Sequence, residues 1–384
     1  MTSLDNSYEI ASGLAAIPIA ELDLYQQMAR LVPDTPWPAP VAPTFSAEAL
    51  ASLGAHILGN ARRSDYAMVT RSIALHASLE RWVETRSSKI VVVPDDTELA
   101  AWYRTRSNPP LAVCAAGAGF AWCDLVAVQQ AGACVARLPC DSSPGAEAWR
   151  DAALERWRDP PRLPPRVWFI APNNDAFTQR LARYIVPAAA NALRECQIVC
   201  EERAASGDDV RLVVLLSHGD PEGAPVVPPP VLAAVLRACS QGAIVLHLGC
   251  HGAGRLAGER YGELAPRSLG VGGRAERDTC SPFARRCLDA GAPAVIAHLD
   301  ATWSKTFERN SLRVLVEVIV LLATGGATAG YAALSLTRAA DARARAAIEH
   351  LRANRVLEAG EAWLRYLDLS GFVCLGDVCA LVPD

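Results

Sequence analysis

Short, continuous apolar runs alternate along the chain with segments in which apolar residues recur every three to four positions. The alternation is clearest after residue 165. There the runs RVWFIA, CQIVCE, VRLVVLLS, AIVLHLGC, APAVIAHL and GFVCLG predict strands, and DAFTQRLARYIVPAAANALRE, PPVLAAVLRACSQ and SPFARRCLDAG predict the helices between them. A long helical stretch is expected over 306–355. Its core, VLVEVIVLLA at 314–323, is too short for a bilayer and carries Glu317, so it predicts a buried helix. Strands apolar at every position, separated by helices, predict a mostly parallel sheet covered on both faces, an α/β fold. In such sheets ligands sit beyond the carboxyl ends of the strands.

The first part of the chain is less regular. Leu50, Leu53, Ile57, Ile73, Leu75, Leu79 and Trp82 fall near helical spacing and predict a helical region over roughly 46–86. KIVVV, LAVCAAG and ACVARL come next as short strands, with the GAG at 117–119 as a turn. Proline marks the joints. VPDTPWPAPVAP at 32–43 reads as an extended connector after a short amphipathic segment, and RDPPRLPP at 158–165 is the strongest boundary. The expected division is a helical plus α/β N-terminal region over 1–160 and a second domain over 161–384.

Length and composition suit that plan. At 384 residues and 51% hydrophobic the chain can bury a large core in two domains. A net charge of −4 and a pI near 6.0 supply no electrostatic footprint for nucleic acid. The N-terminal MTSLDNSYEIASGLAAIPIAE lacks the basic start of a secretory signal. A cytoplasmic protein with its 12 cysteines reduced, and no membrane partner, is therefore expected.

Two apolar runs end in chemistry. VVLLSHGD places His218 just past one strand, and IVLHLGCHGAG places Cys250 just past the next. A thiol attacks a carbonyl as thiolate or with an adjacent base, and a histidine is the usual activator. The two strands are joined by one crossover helix, so that helix and the second, parallel strand separate the two residues and the strand ends would lie side by side. Gly219 follows the histidine, and Gly252 and Gly254 follow the cysteine, leaving room for a substrate backbone. The amides of Gly219 and Cys250 are candidate oxyanion donors. Cys250 as a packed strand thiol and His218 as a turn residue remain open as structural readings.

Taken in order, strand-Ser-His-Gly-Asp and strand-Gly-Cys-His-Gly resemble the His and Cys motifs of the caspase-like cysteine peptidases, the superfamily of caspases, metacaspases, separases and bacterial CHAT domains. SPFARRCLDAGAPAVIAHLDAT is similar to the helix, turn and strand that follow the cysteine in CHAT and separase domains, and SGFVCLGDVCALV resembles their closing strand. The resemblance covers roughly 166–384. It implies a three-layer caspase-like sandwich, with His218 and Cys250 as catalytic dyad and Gly219 and Cys250 as oxyanion donors. Asp300 aligns with an acidic position that gives separase-type sites a preference for a basic residue. The acid found two residues before the cysteine in metacaspases is Leu248 here. No metal or organic cofactor is implied. The expected activity is a cysteine endopeptidase cleaving a protein substrate, regulated by an activating partner or by loop processing, in bacterial stress or defence. The N-terminal region would be a degenerate peptidase-like, sensor or docking domain.

The polar, glycine-rich 255–281 is expected to gate the site, with Arg255, Arg260, Arg267, Arg274 and Arg277 as points of self-cleavage if specificity is basic. Other registers are weaker. His251 with Cys280 lacks an apolar strand before the cysteine. His247, Cys250 and His251 alternate across a strand and suit no metal. An α/β-hydrolase using Cys250 and His298 would need a small residue at Leu248. A catalytically silent scaffold binding a partner peptide is the reading from another class.

Overall fold

In nearly every described strand, alternate residues enter two different apolar cores. On β7 (Val210–Leu216), Leu212, Val214 and Leu216 join one core, while Val213 and Leu215 join the other. Successive strand side chains point to opposite faces, so a strand apolar at every position demands cover on both sides. The computed structural model describes residues 19–32, 66–71, 89–94, 98–107, 109–117, 119–138, 166–172, 176–193, 196–200, 210–220, 223–256, 278–299, 302 and 310–380.

Among the described residues, ten strands form one sheet. Besides β7 they are β1 (Tyr66–Thr70), β2 (Lys89–Val92), β3 (Ala112–Ala116), β4 (Cys134–Leu138), β5 (Arg166–Ile170), β6 (Gln197–Val199), β8 (Ile244–Leu248), β11 (Ala294–His298) and β12 (Phe372–Gly376). Their order is β2-β1-β3-β4-β12-β11-β8-β7-β5-β6. A separate two-residue ribbon pairs β9 (Gly254–Arg255) with β10 (Thr279–Cys280). The sheet's one antiparallel junction is β11 with β12; β12 is parallel to β4, and β11 to β8. Consequently β1 to β4 and β12 run one way, and β5 to β8 and β11 the other. Carboxyl ends from the two parts of the chain therefore leave the sheet at opposite edges.

Helices form the outer layers. α1 (Ile19–Ala29), α4 (Ala176–Ala192), α7 (Asn310–Ala323), α8 (Ala329–Arg352) and α9 (Val356–Ser370) pack apolar stripes on one face. α2 (Leu99–Arg104), α3 (Trp122–Gln130), α5 (Pro229–Ser240) and α6 (Pro282–Ala290) cover the other. On α7, Leu315, Val318, Ile319 and Leu322 are buried, while Arg313 and Glu317 pair at 2.9 Å on the outer side. Its four-residue spacing is that of an amphipathic surface helix. Gln129 of α3 reaches across the layers, donating from Nε2 to the Phe372 carbonyl at 2.9 Å.

Two element assignments change. Within the expected helical region 46–86, residues 66–70 (YAMVT) are a strand paired in parallel between β2 and β3. Its β-branched and aromatic residues fall in the gap between the helix-spaced positions, which themselves lie outside the described residues. The expected helix over 306–355 breaks after Ala323. Gly325 takes φ 65 there, and Thr328 restarts the chain as N-cap of α8, accepting from Tyr331 N at 3.2 Å. α9 then adds a further helix, ending at Ser370. The proline-rich 158–165 and most of 32–43 lie outside the described residues.

Candidate active site

β7, β8 and β11 are parallel neighbours, so three chain segments leave the sheet together at one edge. At the end of β7, Ser217 is buried and His218 exposed. The chain then doubles back. Gly219 bridges Pro225 in antiparallel sense, and Val226 N donates to the His218 carbonyl at 2.8 Å. Asp220 staples the turn, its Oδ1 accepting from Ala224 N at 2.8 Å and its carbonyl from Gly223 N at 2.9 Å. Ser281, the N-cap of α6, donates to the Gly223 carbonyl at 3.1 Å. The backbone on both sides of His218 is thereby tied to the sheet and to a helix start.

At the end of β8, Gly249, Cys250 and His251 turn sharply. His251 adopts φ 53, a left-handed conformation uncommon for a residue with a Cβ. Gly254 N donates to the His251 carbonyl at 3.0 Å, and Ala253 N donates to the His298 carbonyl at 2.9 Å. The turn is locked against the end of β11. A side chain at Gly219 would overlap the carbonyl oxygen of Cys250. The two strand-end backbones are thus in direct contact, which brings the segments of His218 and Cys250 together. This is also why position 219 is glycine: the room is taken by Cys250 itself, where the sequence suggested room for a substrate.

His247 supports the turn from inside. Its ring is fully buried, edge-on to Phe283 with centroids 5.4 Å apart, and its Nε2 lies 3.1 Å from Ser217 Oγ. Burial lowers its pKa to about 4, keeping it neutral. His251 is also buried, and neither ring nitrogen has a hydrogen-bond partner among the described residues. Burial, with Arg255 adding to it against Asp220, lowers its pKa to about 4. Neither ring is placed to act as a solvent-exposed base. No group of three or more metal-ligating side chains is assembled among the described residues.

The cysteine's immediate partner is a residue that the sequence did not single out. Thr302 N donates to Cys250 Sγ at 3.3 Å, and the sulfur lies 3.7 Å from the Thr302 carbonyl and 3.8 Å from Thr302 Oγ1. Among the described residues, the hydrogen bonds of this sulfur to other residues all run to Thr302. Burial pushes the Cys250 thiol up, hydrogen bonds with Thr302 pull it down, and the charge of Asp368 raises it again; the net direction is up. Asp368, near the end of α9, is itself fully buried. A signal for Thr302 was present: DAT follows the β11 run, the third strand ending at this edge. A sequence gives no means of telling which of the residues after that strand turns back.

The other predicted residues separate. His298, the histidine of the hydrolase alternative, is fully buried on β11, edge-on to Phe372 at 5.1 Å. Cys280 is on β10, opposite Gly254 of β9. Asp300 lies outside the described residues, as does 257–277 of the expected gating loop. The ends of that loop are fixed. Thr279 and Cys280 pair with Arg255 and Gly254, Ser281 N donates to the Ala253 carbonyl at 3.0 Å, and Trp122 Nε1 donates to the Thr279 carbonyl at 2.9 Å.

The chain is similar in structure to a solved protein described as a protease, with a TM-score of 0.50 and 12% sequence identity over 84% of this chain and 79% of that one. It is also similar to a chain of the Saccharomyces cerevisiae separase–securin complex, in two structures, with a TM-score of 0.40 and 16% identity over 78% of this chain and 17% of that one. No protein-family model and no curated protein matches the sequence. At 12% identity the first likeness shows the fold. The ten-stranded, mostly parallel sheet between two helical layers is the α/β, three-layer architecture expected from the sequence, and it is consistent with a caspase-like fold. Among the described residues, no helix is long and apolar enough to cross a membrane.

Proposed function

We propose that the protein is a cysteine endopeptidase acting through Cys250 and His218. The observation that supports this reading is the contact between the two strand ends, Gly219 against the Cys250 carbonyl, which brings the chain segment of the exposed His218 against that of Cys250 at the carboxyl edge of parallel strands. The reaction follows from the chemistry of the pair. His218 takes the thiol proton as Sγ attacks the scissile carbonyl carbon, and the amides of Gly219 and Cys250 stabilise the resulting oxyanion. Collapse of this intermediate breaks the C–N bond, and His218 gives its proton to the leaving amine. Water then attacks the thioester, losing a proton to His218, and the acid product leaves as the thiol is restored. No step draws on a metal or organic cofactor. Asp300 is assigned to a basic residue before the scissile bond, and the 255–281 loop to gating or processing. The region over 1–160 is assigned to a degenerate peptidase-like, sensor or docking domain, and an activating protein partner in the cytoplasm is proposed to supply the trigger.

A scaffold that binds a peptide without cutting it is the second reading. A thiol that burial holds above its ordinary value favours it. Incubating the full chain with a peptide library separates the two. Cleavage by the wild type that is lost in both Cys250→Ala and His218→Ala supports the peptidase. Cleavage that survives Cys250→Ala removes the cysteine from the reaction, and binding without cleavage supports the scaffold.

A further inference from the structure

A largely buried thiol that must ionise needs donors aimed at its sulfur, and at Cys250 the donors from elsewhere in the chain come, among the described residues, from Thr302. We propose that Thr302 is a positioning residue that holds the Cys250 sulfur and stabilises its thiolate through its backbone N–H and its hydroxyl. This deepens the cysteine-peptidase reading and rests on it.

The three contacts differ in what they ask of the sulfur. The amide at 3.3 Å donates whether the sulfur is neutral or charged. The carbonyl at 3.7 Å accepts only from the protonated thiol. The hydroxyl at 3.8 Å can accept from the thiol, then turn to donate to the thiolate. Loss of the proton to His218 therefore leaves two donors on the sulfur and sacrifices one weak acceptor. Charge-assisted hydrogen bonds are the stronger class, so the two donors gain as the sulfur ionises.

Thr302 is also held from a rigid base. Leu299 N donates to the Gly371 carbonyl at 2.9 Å, and Leu299 bridges Gly254 just past the nucleophile turn. Three residues later the chain reaches the sulfur. The charged and titratable groups nearby are divided. Asp368 on α9 opposes ionisation, and His247 and His251 are kept neutral by burial. Asp220 on the β7 hairpin and Arg255 on β9 flank His251, and His218 is exposed at the end of β7. Desolvation and Asp368 oppose the thiolate, and Thr302 counters both.

The test is the pH profile of Cys250 alkylation by iodoacetamide in the full chain, read at the Cys250 peptide by mass spectrometry because Cys123 and Cys200 are exposed. Thr302→Val keeps the shape and removes the hydroxyl. Its alkylation midpoint is expected to rise by about one pH unit, with kcat lowered roughly tenfold and KM little changed. Thr302→Ser is expected to restore the wild-type profile. Thr302→Ala, which also lacks the hydroxyl but adds no bulk, should match Val and serves if Val does not fold. A Val or Ala midpoint equal to wild type, or a Ser midpoint displaced as far as Val, overturns the proposal. Alkylation needs no substrate, so the two readings fail separately. Cleavage surviving Cys250→Ala sinks the peptidase, whereas unmoved midpoints with Cys250→Ala inactive sink only the role of Thr302.

Discussion

The two parts of the chain open with the same topology. β1 to β4 lie in the order β2-β1-β3-β4, and β5 to β8 in the order β6-β5-β7-β8, all parallel within each set. Both sets also bring their third and fourth strand ends together: Gly117 N donates to the Leu138 carbonyl at 3.1 Å, as Gly219 meets the Cys250 carbonyl. The residues beyond the strand ends differ. Two residues past β7 and β8 the chain has His218 and Cys250; two residues past β3 and β4 it has Ala118 and Cys140. The first set keeps a cysteine at the corresponding sequence position and lacks the histidine. The same sheet geometry is thus present twice, and a His-Cys pair follows it once. A fold places strand ends side by side; which residues stand there is a separate matter.

The largest expected effect tests that asymmetry. Cys250→Ala and His218→Ala should each lower peptide cleavage by about 10³-fold or more. Cys140→Ala should leave it unchanged in the same assay. An equal loss at Cys140 would mean that both sets contribute to chemistry.

Acid sharpens the contrast next. His247 and His251 have folded pKa values lowered from 6.5 to about 4, so the unfolded chain binds more protons between those values. Stability therefore falls as pH drops through that window and is fully diminished below about 4. Each ring contributes a loss of about 3 kcal/mol, from roughly 1.4 kcal/mol per pH unit. Hydrogen exchange at pH 4 to 5 should expose the ends of β7 and β8 before those of β3 and β4. Simultaneous loss in both sets would deny the histidines this role.

Glycine substitutions give a smaller effect. Gly219→Ala drives a Cβ into the Cys250 carbonyl, and should cost about 1–3 kcal/mol in chemical denaturation together with most activity. Gly132→Ala, between α3 and β4, meets nothing within 4 Å and carries only the strain of φ 104, so it should cost about 1 kcal/mol without touching cleavage. Gln129→Leu, which strips the Phe372 carbonyl of its donor across the layers, should cost about 1–2 kcal/mol. Smallest is Arg313→Ala. Its exposed pair with Glu317 is worth about 0.3 kcal/mol, within the error of a melting curve.

How far the sequence could be read depended on how continuous its apolar runs are. β7, β8, β11 and β12 were legible because a strand buried on both faces leaves an unbroken apolar signature, which the intervening helical periodicity sets off. β1 was not, since five residues embedded in helix-spaced surroundings carry too little periodicity to be told apart. At the site, His218 and Cys250 stood out because each ends such a run. Thr302 did not, because nothing local marks a threonine as a partner of a sulfur across the sheet. His251 beside the cysteine looked available in sequence, yet its left-handed turn goes with a fully interior ring.

By itself the sequence determined the layers and the edge: apolar runs require cover on both faces, and parallel strands place their ends at one rim. Only the tertiary structure decided which groups meet there. It set Gly219 against the Cys250 carbonyl, buried His247 and His251, and brought Thr302 onto the sulfur from a third strand. Periodicity is a local property that one segment can express alone. Contact between strand ends depends on how separate segments stack, and no single segment contains that information.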